Sequence, residues 1–323
     1  MLQHIVLLLV GFVILVKGAD VFVESACNVA QILRIPLVII GIVIIGFGTS
    51  LPEFAINLNA VLKGQNAIAI GNIIGSNVFN ILFIIGAIAL FRNIHIKKKM
   101  LKFEFPFLIG ASALLVFFSL DSLFIATKNT LSRLDGIILL LIFASFLYGV
   151  FYVSMKRKHD PDEHMHLDLS TREELKIGGN LLSVITGIIL VIYGGDLVVD
   201  QSVIVAQKLG LSQHFIGLTI VAIGSSLPEL VTSIIALFKR QQDIIVGNIL
   251  GSNIFNILCI LGMSSVIMPL ALTNQMIIDA GVCLGSALLL AFIAYYKKKV
   301  TRTSGILFIA LYVSYLAYIL ISH

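Results

Sequence analysis

Apolar residues run along this chain in stretches of about twenty, the length of helix that crosses the hydrocarbon of a bilayer. Ten such stretches are predicted, near 2–22, 36–62, 67–90, 104–124, 134–154, 177–199, 212–238, 244–269, 276–295 and 304–322. Short connections separate them, often marked by a basic cluster. One longer hydrophilic piece, Met155–Lys176, divides the chain into halves of five stretches each, 1–154 and 177–323. The predicted class is an all-α membrane protein with ten transmembrane helices.

Composition agrees. The 323 residues are 59% hydrophobic and 12% charged, where a soluble domain carries about 25% charge. No separable leader is expected, because Leu2–Val16 leads straight into further apolar sequence. The three cysteines have no CxxC spacing and read as small apolar residues. A net charge of +5 would suit an anionic partner, but its placement reads as topology. With the N-terminus outside, 17 of the 22 Lys and Arg fall in inner connections, among them Arg34, Lys97–Lys99, Lys239, Arg240 and Lys297–Lys299. The positive-inside rule then puts both termini outside and the 155–176 linker in the cytoplasm.

An internal repeat organises the whole. The stretch GFGTSLPEFAINLNAVLKGQNAIAIGNIIGSNVFN (Gly46 to Asn80) returns as AIGSSLPELVTSIIALFKRQQDIIVGNILGSNIFN (Ala222 to Asn256), at a constant offset of 176. Glu53 aligns with Glu229, Pro52 with Pro228, and Asn80 with Asn256. Each half has an odd number of predicted spans, so the halves must enter the membrane from opposite sides. This is an inverted repeat of two five-helix units, and such folds place their substrate where interrupted helices of the two halves meet.

Glu53 alone could be a kinked helix whose carboxylate snorkels to a surface. A carboxylate at a helix centre costs ~2.5 kcal/mol or more and is a functional candidate by default. Its recurrence beside the same polar residues favours function. Proline removes a helical donor and clashes with the carbonyl four residues earlier, so carbonyls around Gly46–Thr49 and Ala222–Ser225 are expected to be partly freed. Thr49, Ser50 and Glu53 are predicted to share one face, as are Ser225, Ser226 and Glu229. Asn72, Ser76 and Asn80 form a stripe that Asn248, Ser252 and Asn256 repeat. The glycines at 71, 75, 247 and 251 are expected to let helices approach closely. The inventory is carboxylate, hydroxyl, amide and carbonyl oxygen, the ligand set of hard cations such as Ca²⁺ and Na⁺, with Mg²⁺ or Mn²⁺ less favoured. Two carboxylates balance one Ca²⁺, and mutual exclusion with Na⁺ at shared oxygens is a simple basis for exchange.

GTSLPE followed by GNIIGSNVFN, and GSSLPE followed by GNILGSNIFN, resemble the paired α-repeats of the cation/Ca²⁺ exchanger superfamily, most closely its prokaryotic Na⁺/Ca²⁺ exchanger branch. The resemblance implies a Na⁺/Ca²⁺ antiporter working by alternating access in a prokaryotic plasma membrane. It further implies that Glu53 and Glu229 bridge Ca²⁺ with the carbonyls of Thr49 and Ser225. Ser50, Ser76 and Gly46 would complete one Na⁺ site, and Ser226, Ser252 and Ala222 its mate, with Asn80 and Asn256 central. Ser225 stands where Thr is common. Asn at both 80 and 256, where some relatives carry Asp, speaks against K⁺ co-transport.

H⁺/Ca²⁺ or other divalent exchange is the alternative reading. A channel and a membrane-embedded enzyme fit less well, since no HExxH and no Ser-His or paired-Asp arrangement falls at membrane depth. No catalytic residue, no cofactor, no nucleic acid and no obligate protein partner is expected; Ca²⁺ and Na⁺ are cargo and the lipid bilayer is the setting. Asp20 and Glu24, aligned with Asp196 and Asp200, read as helix-packing or interfacial residues, with Lys17 one turn from Asp20. The loop His159–Asp168 reads as a solvated linker. Lys97–Lys99 and Lys297–Lys299 read as topology signals with some attraction to anionic lipid. Tyr148, Tyr152, Tyr295 and Tyr296 read as interfacial anchors.

Overall fold

A chain this apolar must satisfy its backbone polar groups within itself, and helix does so segment by segment. The computed structural model describes residues 2–33, 35, 37–120, 129–157, 177–208 and 222–322. The order is α1 (Leu2–Leu33), α2 (Leu37–Thr49), α3 (Leu51–Leu62), α4 (66–91), β1 (Ile94–His95), α5 (Lys98–Lys102), α6 (Glu104–Phe118), β2 (Thr130–Leu131) and α7 (Arg133–Arg157). The second half continues with α8 (Ile177–Lys208), α9 (Ala222–Ser225), α10 (Leu227–Phe238), α11 (Gln242–Ile267), β3 (Leu270–Ala271), α12 (Asn274–Lys297), β4 (Lys299–Val300) and α13 (Arg302–Ser322).

Among the described residues eight helices are long and apolar enough to span a membrane, and the bent pair α2–α3 makes a ninth. The predicted span 212–238 starts outside the described residues and ends in α10. From residue 158 onward the 155–176 linker, with its His159–Asp168 stretch, also lies outside them, as does Arg34. The first and sixth spans run further than predicted, to Leu33 and Lys208. Neither has a proline to stop it, and 32 residues at ~1.5 Å rise exceed the hydrocarbon thickness, so polar ends can project beyond it.

The chain forms two compact units, Met1–Pro52 with Leu147–Gly251, and Glu53–Phe146 with Ser252–His323. Each draws on both sequence repeats. In the first unit α1 lies along α8 with glycines at the contact. A Cβ at Gly194 would stand 2.5 Å from the Leu15 backbone nitrogen, and one at Gly187 2.8 Å from the Phe22 Cα. Only glycine lets the backbones meet there. Fully buried Leu15, Ala19 and Val191 form the core of this contact, with Leu227, Val231 and Ile235 of α10 packed on it.

In the second unit Gly305 of α13 meets the Gly86 carbonyl of α4, and Phe79, Phe83 and Tyr312 cluster with ring centroids 4.8–5.4 Å apart. Two short antiparallel pairings, β1 with β4 and β2 with β3, join connections that lie far apart in sequence. Ser132 and Asp135 cap α7 reciprocally: the Ser132 backbone N–H donates to Asp135 Oδ2 at 2.8 Å, and the Asp135 N–H to Ser132 Oγ at 3.3 Å. Tyr148, Tyr152, Tyr295 and Tyr296 are exposed, as anchors at a membrane surface would be.

Candidate ion-binding site

The repeated Pro-Glu motif breaks its helix in the same way in both halves. Ser50 leaves the helical region at φ −84°, ψ 7°, and Ser226 does so at φ −95°, ψ 11°. Each stands two residues before the proline whose ring blocks a straight continuation. The axis bends by 43° between α2 and α3. The freeing of carbonyls expected around Gly46–Thr49 is partial: Gly46 O accepts the Ser50 N–H at 3.3 Å and the Thr49 hydroxyl at 3.4 Å, both long. Gly41–Gly46 is wound as a π-helix, as are Phe79–Ile84 and Phe255–Leu261. These wide turns precede Thr49 and surround Asn80 and Asn256, and π-turns are frequent at functional sites. Because the helix breaks at Ser50, Thr49 and Ser50 do not share a continuous helical face with Glu53, as simple periodicity predicts. The turn sends the two side chains to different partners.

In the first unit Glu229 is fully buried, and Ser50 Oγ donates to its Oε1 at 3.0 Å. Thr49 Oγ1 donates to Asn248 Oδ1 at 3.2 Å. The Asn248 amide nitrogen donates to Ser233 Oγ at 3.0 Å, Thr232 Oγ1 at 3.2 Å and the Glu229 carbonyl at 3.4 Å. Asn248 therefore ties α2 to α10 across a break that would otherwise expose both. Close approach makes this possible: a Cβ at Gly247 would stand 2.6 Å from the Val38 carbonyl oxygen, and one at Gly251 2.5 Å from that of Ile42. At Gly71 and Gly75 the expected close approach falls outside the described residues, since 214–218, the counterparts of Val38–Ile42 at the offset of 176, are not among them. No described atom would meet a Cβ at either, and Gly71 is exposed. Ser225 and Ser226 are buried at the α9–α10 break, and Ala222 opens α9.

In the second unit Glu53, Ser76, Asn80, Ser252 and Asn256 are all buried. Four asparagines interlock there. Asn80 Nδ2 donates to Asn253 Oδ1 at 3.3 Å, and Asn256 Nδ2 donates to Asn77 Oδ1 at 3.0 Å. These two bonds are mates under the offset of 176. Asn256 Nδ2 also donates to Ser76 Oγ at 3.3 Å, and Asn77 Nδ2 to the Asn253 carbonyl at 3.2 Å. With their nitrogens engaged, Asn80 Oδ1 and Asn256 Oδ1 accept no hydrogen bond among the described residues. A buried amide oxygen without a donor suits a cation ligand. Asn77 and Asn253 are absent from the predicted site because they fall off the four-residue stripe, although they recur at the same offset. Thr232 and Ser233 fall outside the predicted set too, and Asn57 is buried with its amide donating to the Ala69 carbonyl at 2.7 Å. Asn57 aligns with Ser233, a change of type that hides the correspondence.

Asp20 and Glu24 stand at the surface in an ion pair, as interfacial residues would, and their partner is Lys239, not Lys17. Lys239 Nζ lies 2.8 Å from both Asp20 Oδ1 and Glu24 Oε2. Desolvation opposes the ammonium charge, yet the hydrogen bonds and charges of the two acids prevail and hold Lys239 above its ordinary range.

The family described as sodium/calcium exchanger protein matches residues 3–152 and 179–321. The chain is 38% identical over 276 residues to the inner membrane protein YrbG of Escherichia coli, covering 83% of this chain and 81% of that one. It is 27% identical to the sodium/calcium exchanger MaX1 of Methanosarcina acetivorans over 97% of each chain. Among solved structures, the sodium-calcium exchanger NCX_Mj soaked with 10 mM Na⁺ and zero Ca²⁺ superimposes with a TM-score of 0.84, at 29% identity over 98% of each chain. The chain thus belongs to the sodium/calcium exchanger family, and it is an integral membrane protein.

Proposed function

We propose that this protein is a secondary antiporter that exchanges Na⁺ for Ca²⁺ by alternating access, normally extruding Ca²⁺ at the expense of Na⁺ entry. Family membership supports the exchange. The observation that carries the chemistry is the burial of two repeated glutamates, Glu53 and Glu229, in apolar helices. Their cost in a bilayer is met by binding cations. Two carboxylates neutralise one Ca²⁺, with the Thr49 and Ser225 carbonyls as further ligands. The hydroxyls of Ser50, Ser76, Ser226 and Ser252, with the carbonyls of Gly46 and Ala222, serve Na⁺. Asn80 and Asn256 present their amide oxygens, held by Asn253 and Asn77. Cations are carried and no covalent bond changes, so neither cofactor nor catalytic residue enters the reading.

Residues 155–176 are read as cytoplasmic, both termini as external, and the membrane as a prokaryotic plasma membrane. The basic clusters and the bacterial and archaeal relatives support this.

The test is uptake of radiolabelled Ca²⁺ into proteoliposomes under imposed Na⁺, K⁺ or pH gradients. Uptake should require an outward Na⁺ gradient and ignore K⁺. Uptake that follows pH and ignores Na⁺ would replace this reading with H⁺/Ca²⁺ exchange. Glu53→Gln and Glu229→Gln should each abolish Ca²⁺ uptake, and wild-type flux in either would remove that residue from the site.

A further inference from the structure

The pairing of β1 with β4 joins two basic clusters that lie about two hundred residues apart in sequence. Ile94 pairs with Val300 and His95 with Lys299, and the Ile96 N–H donates to the Lys298 carbonyl at 2.9 Å. Buried Ile94, Ile96 and Val300 anchor the pairing beneath, and Lys298 turns the chain in the left-handed conformation at φ 52°. Lys98, Lys102, Lys297, Lys298, Lys299 and Arg302 are all exposed. No acidic residue occurs in 92–103 or 295–303, and the adjacent Glu104 is buried. The result is one cationic surface at the end of α12 and the start of α6.

An apolar groove opens beside it. It holds about 610 Å³ between α6 and α12, lined by Phe105, Pro106, Ile109, Leu288, Phe292 and Tyr295 among others. Leu288, Phe292, Tyr295 and Tyr296 are exposed along its rim. Both helices are apolar enough to cross a bilayer, so this face meets hydrocarbon, not water. The tyrosines stand between groove and lysines, at the level where aromatic residues sit in a membrane interface.

We propose that this groove and its lysine cap form a binding site for one anionic phospholipid of the bilayer. An acyl chain lies between α6 and α12, and the headgroup phosphate rests on the joined clusters. Charge complementarity selects the headgroup: four to eight basic residues beside a membrane helix suffice to recruit anionic lipid. The site lies wholly in the second unit and uses none of the residues read as ion ligands.

The chain has no tryptophan, so a single one reports its own lipid neighbours. Phe292→Trp places the probe in the groove; Leu141→Trp, at a 65% exposed position of α7, is the control. Each protein is reconstituted in phosphatidylcholine with a fixed fraction of phosphatidylglycerol, one lipid or the other carrying brominated chains. Quenching at Phe292→Trp should show phosphatidylglycerol enriched over its bulk fraction by roughly fivefold, the ratio set by one basic residue at an anionic surface. Leu141→Trp should show none. Adding Lys98→Gln, Lys102→Gln, Lys297→Gln and Lys299→Gln should lower the enrichment at the groove probe well towards the bulk ratio. Salt should do the same without mutation, since the Debye length falls to ~3 Å at ~1 M. Equal quenching by both lipids, equal enrichment at both probes, or enrichment that survives charge removal and salt would each overturn the assignment.

Discussion

Ser50→Ala should separate Na⁺ from Ca²⁺. The side chain is fully buried and donates one hydrogen bond to Glu229 Oε1 at 3.0 Å. Alanine removes one oxygen and adds no bulk, so the backbone break at φ −84° persists. In the proposed reading Na⁺ loses a ligand whose proton also braces a carboxylate. A hydrogen bond to a charged group is worth ~1.5–3 kcal/mol, which is roughly 10- to 150-fold in affinity. Ca²⁺ keeps both glutamates and the carbonyls of Thr49 and Ser225. Releasing Oε1 also frees a lone pair, so its affinity should move by no more than about fivefold, the equivalent of one ordinary hydrogen bond. The assay is exchange in proteoliposomes, with Na⁺ varied at fixed Ca²⁺ and then the reverse. Half-saturating Na⁺ should rise at least about tenfold while half-saturating Ca²⁺ stays near wild type. Thr232→Ala serves as the control: its hydroxyl donates to the Pro228 carbonyl at 2.7 Å, and it is not among the proposed ligands. It should leave the ratio of the two constants unchanged. If Ser50→Ala weakens Ca²⁺ as much as Na⁺, or alters neither, the assignment of this hydroxyl to Na⁺ is refuted.

Asn253→Ala removes the acceptor of Asn80 Nδ2, and an unsatisfied buried donor costs ~1–3 kcal/mol. Half-saturating Ca²⁺ should rise roughly 5- to 150-fold with the maximal rate less affected, and Asn253→Asp, which retains the acceptor, should recover most of the loss. Gly251→Ala should lower thermal stability in detergent by ~1–3 kcal/mol, because its methyl meets the Ile42 backbone carbonyl. Lys239→Met should cost ~0.2–1 kcal/mol for each of its two ion pairs at neutral pH. The Lys239 pKa is raised by folding, so its contribution is complete below the unfolded value of ~10.4 and is lost as pH rises through the folded one. Denaturation from pH 7 to 12 should show the wild-type advantage constant and then shrinking; an advantage that grows above pH ~10 would contradict it.

Much of this protein was legible before any coordinates. Apolar run length marks helices for a membrane because hydrocarbon thickness sets a length and the backbone must be satisfied locally. Repetition at an offset of 176 marks Glu53, Glu229 and their serines and asparagines, since a costly carboxylate retained twice needs a use. Proline at 52 and 228 marks the breaks, because the ring clash is local. What the chain cannot state locally is which side chains meet. Ser50 bonds Glu229, and Asn80 bonds Asn253, through packing between helices more than 170 residues apart. Lys239 outcompetes nearby Lys17 for Asp20 because the turn after α10 brings it within 2.8 Å. A repeated sequence determines a repeated set of buried oxygens. Only the tertiary structure decides which of these side chains meet, because packing between helices distant in sequence sets those distances.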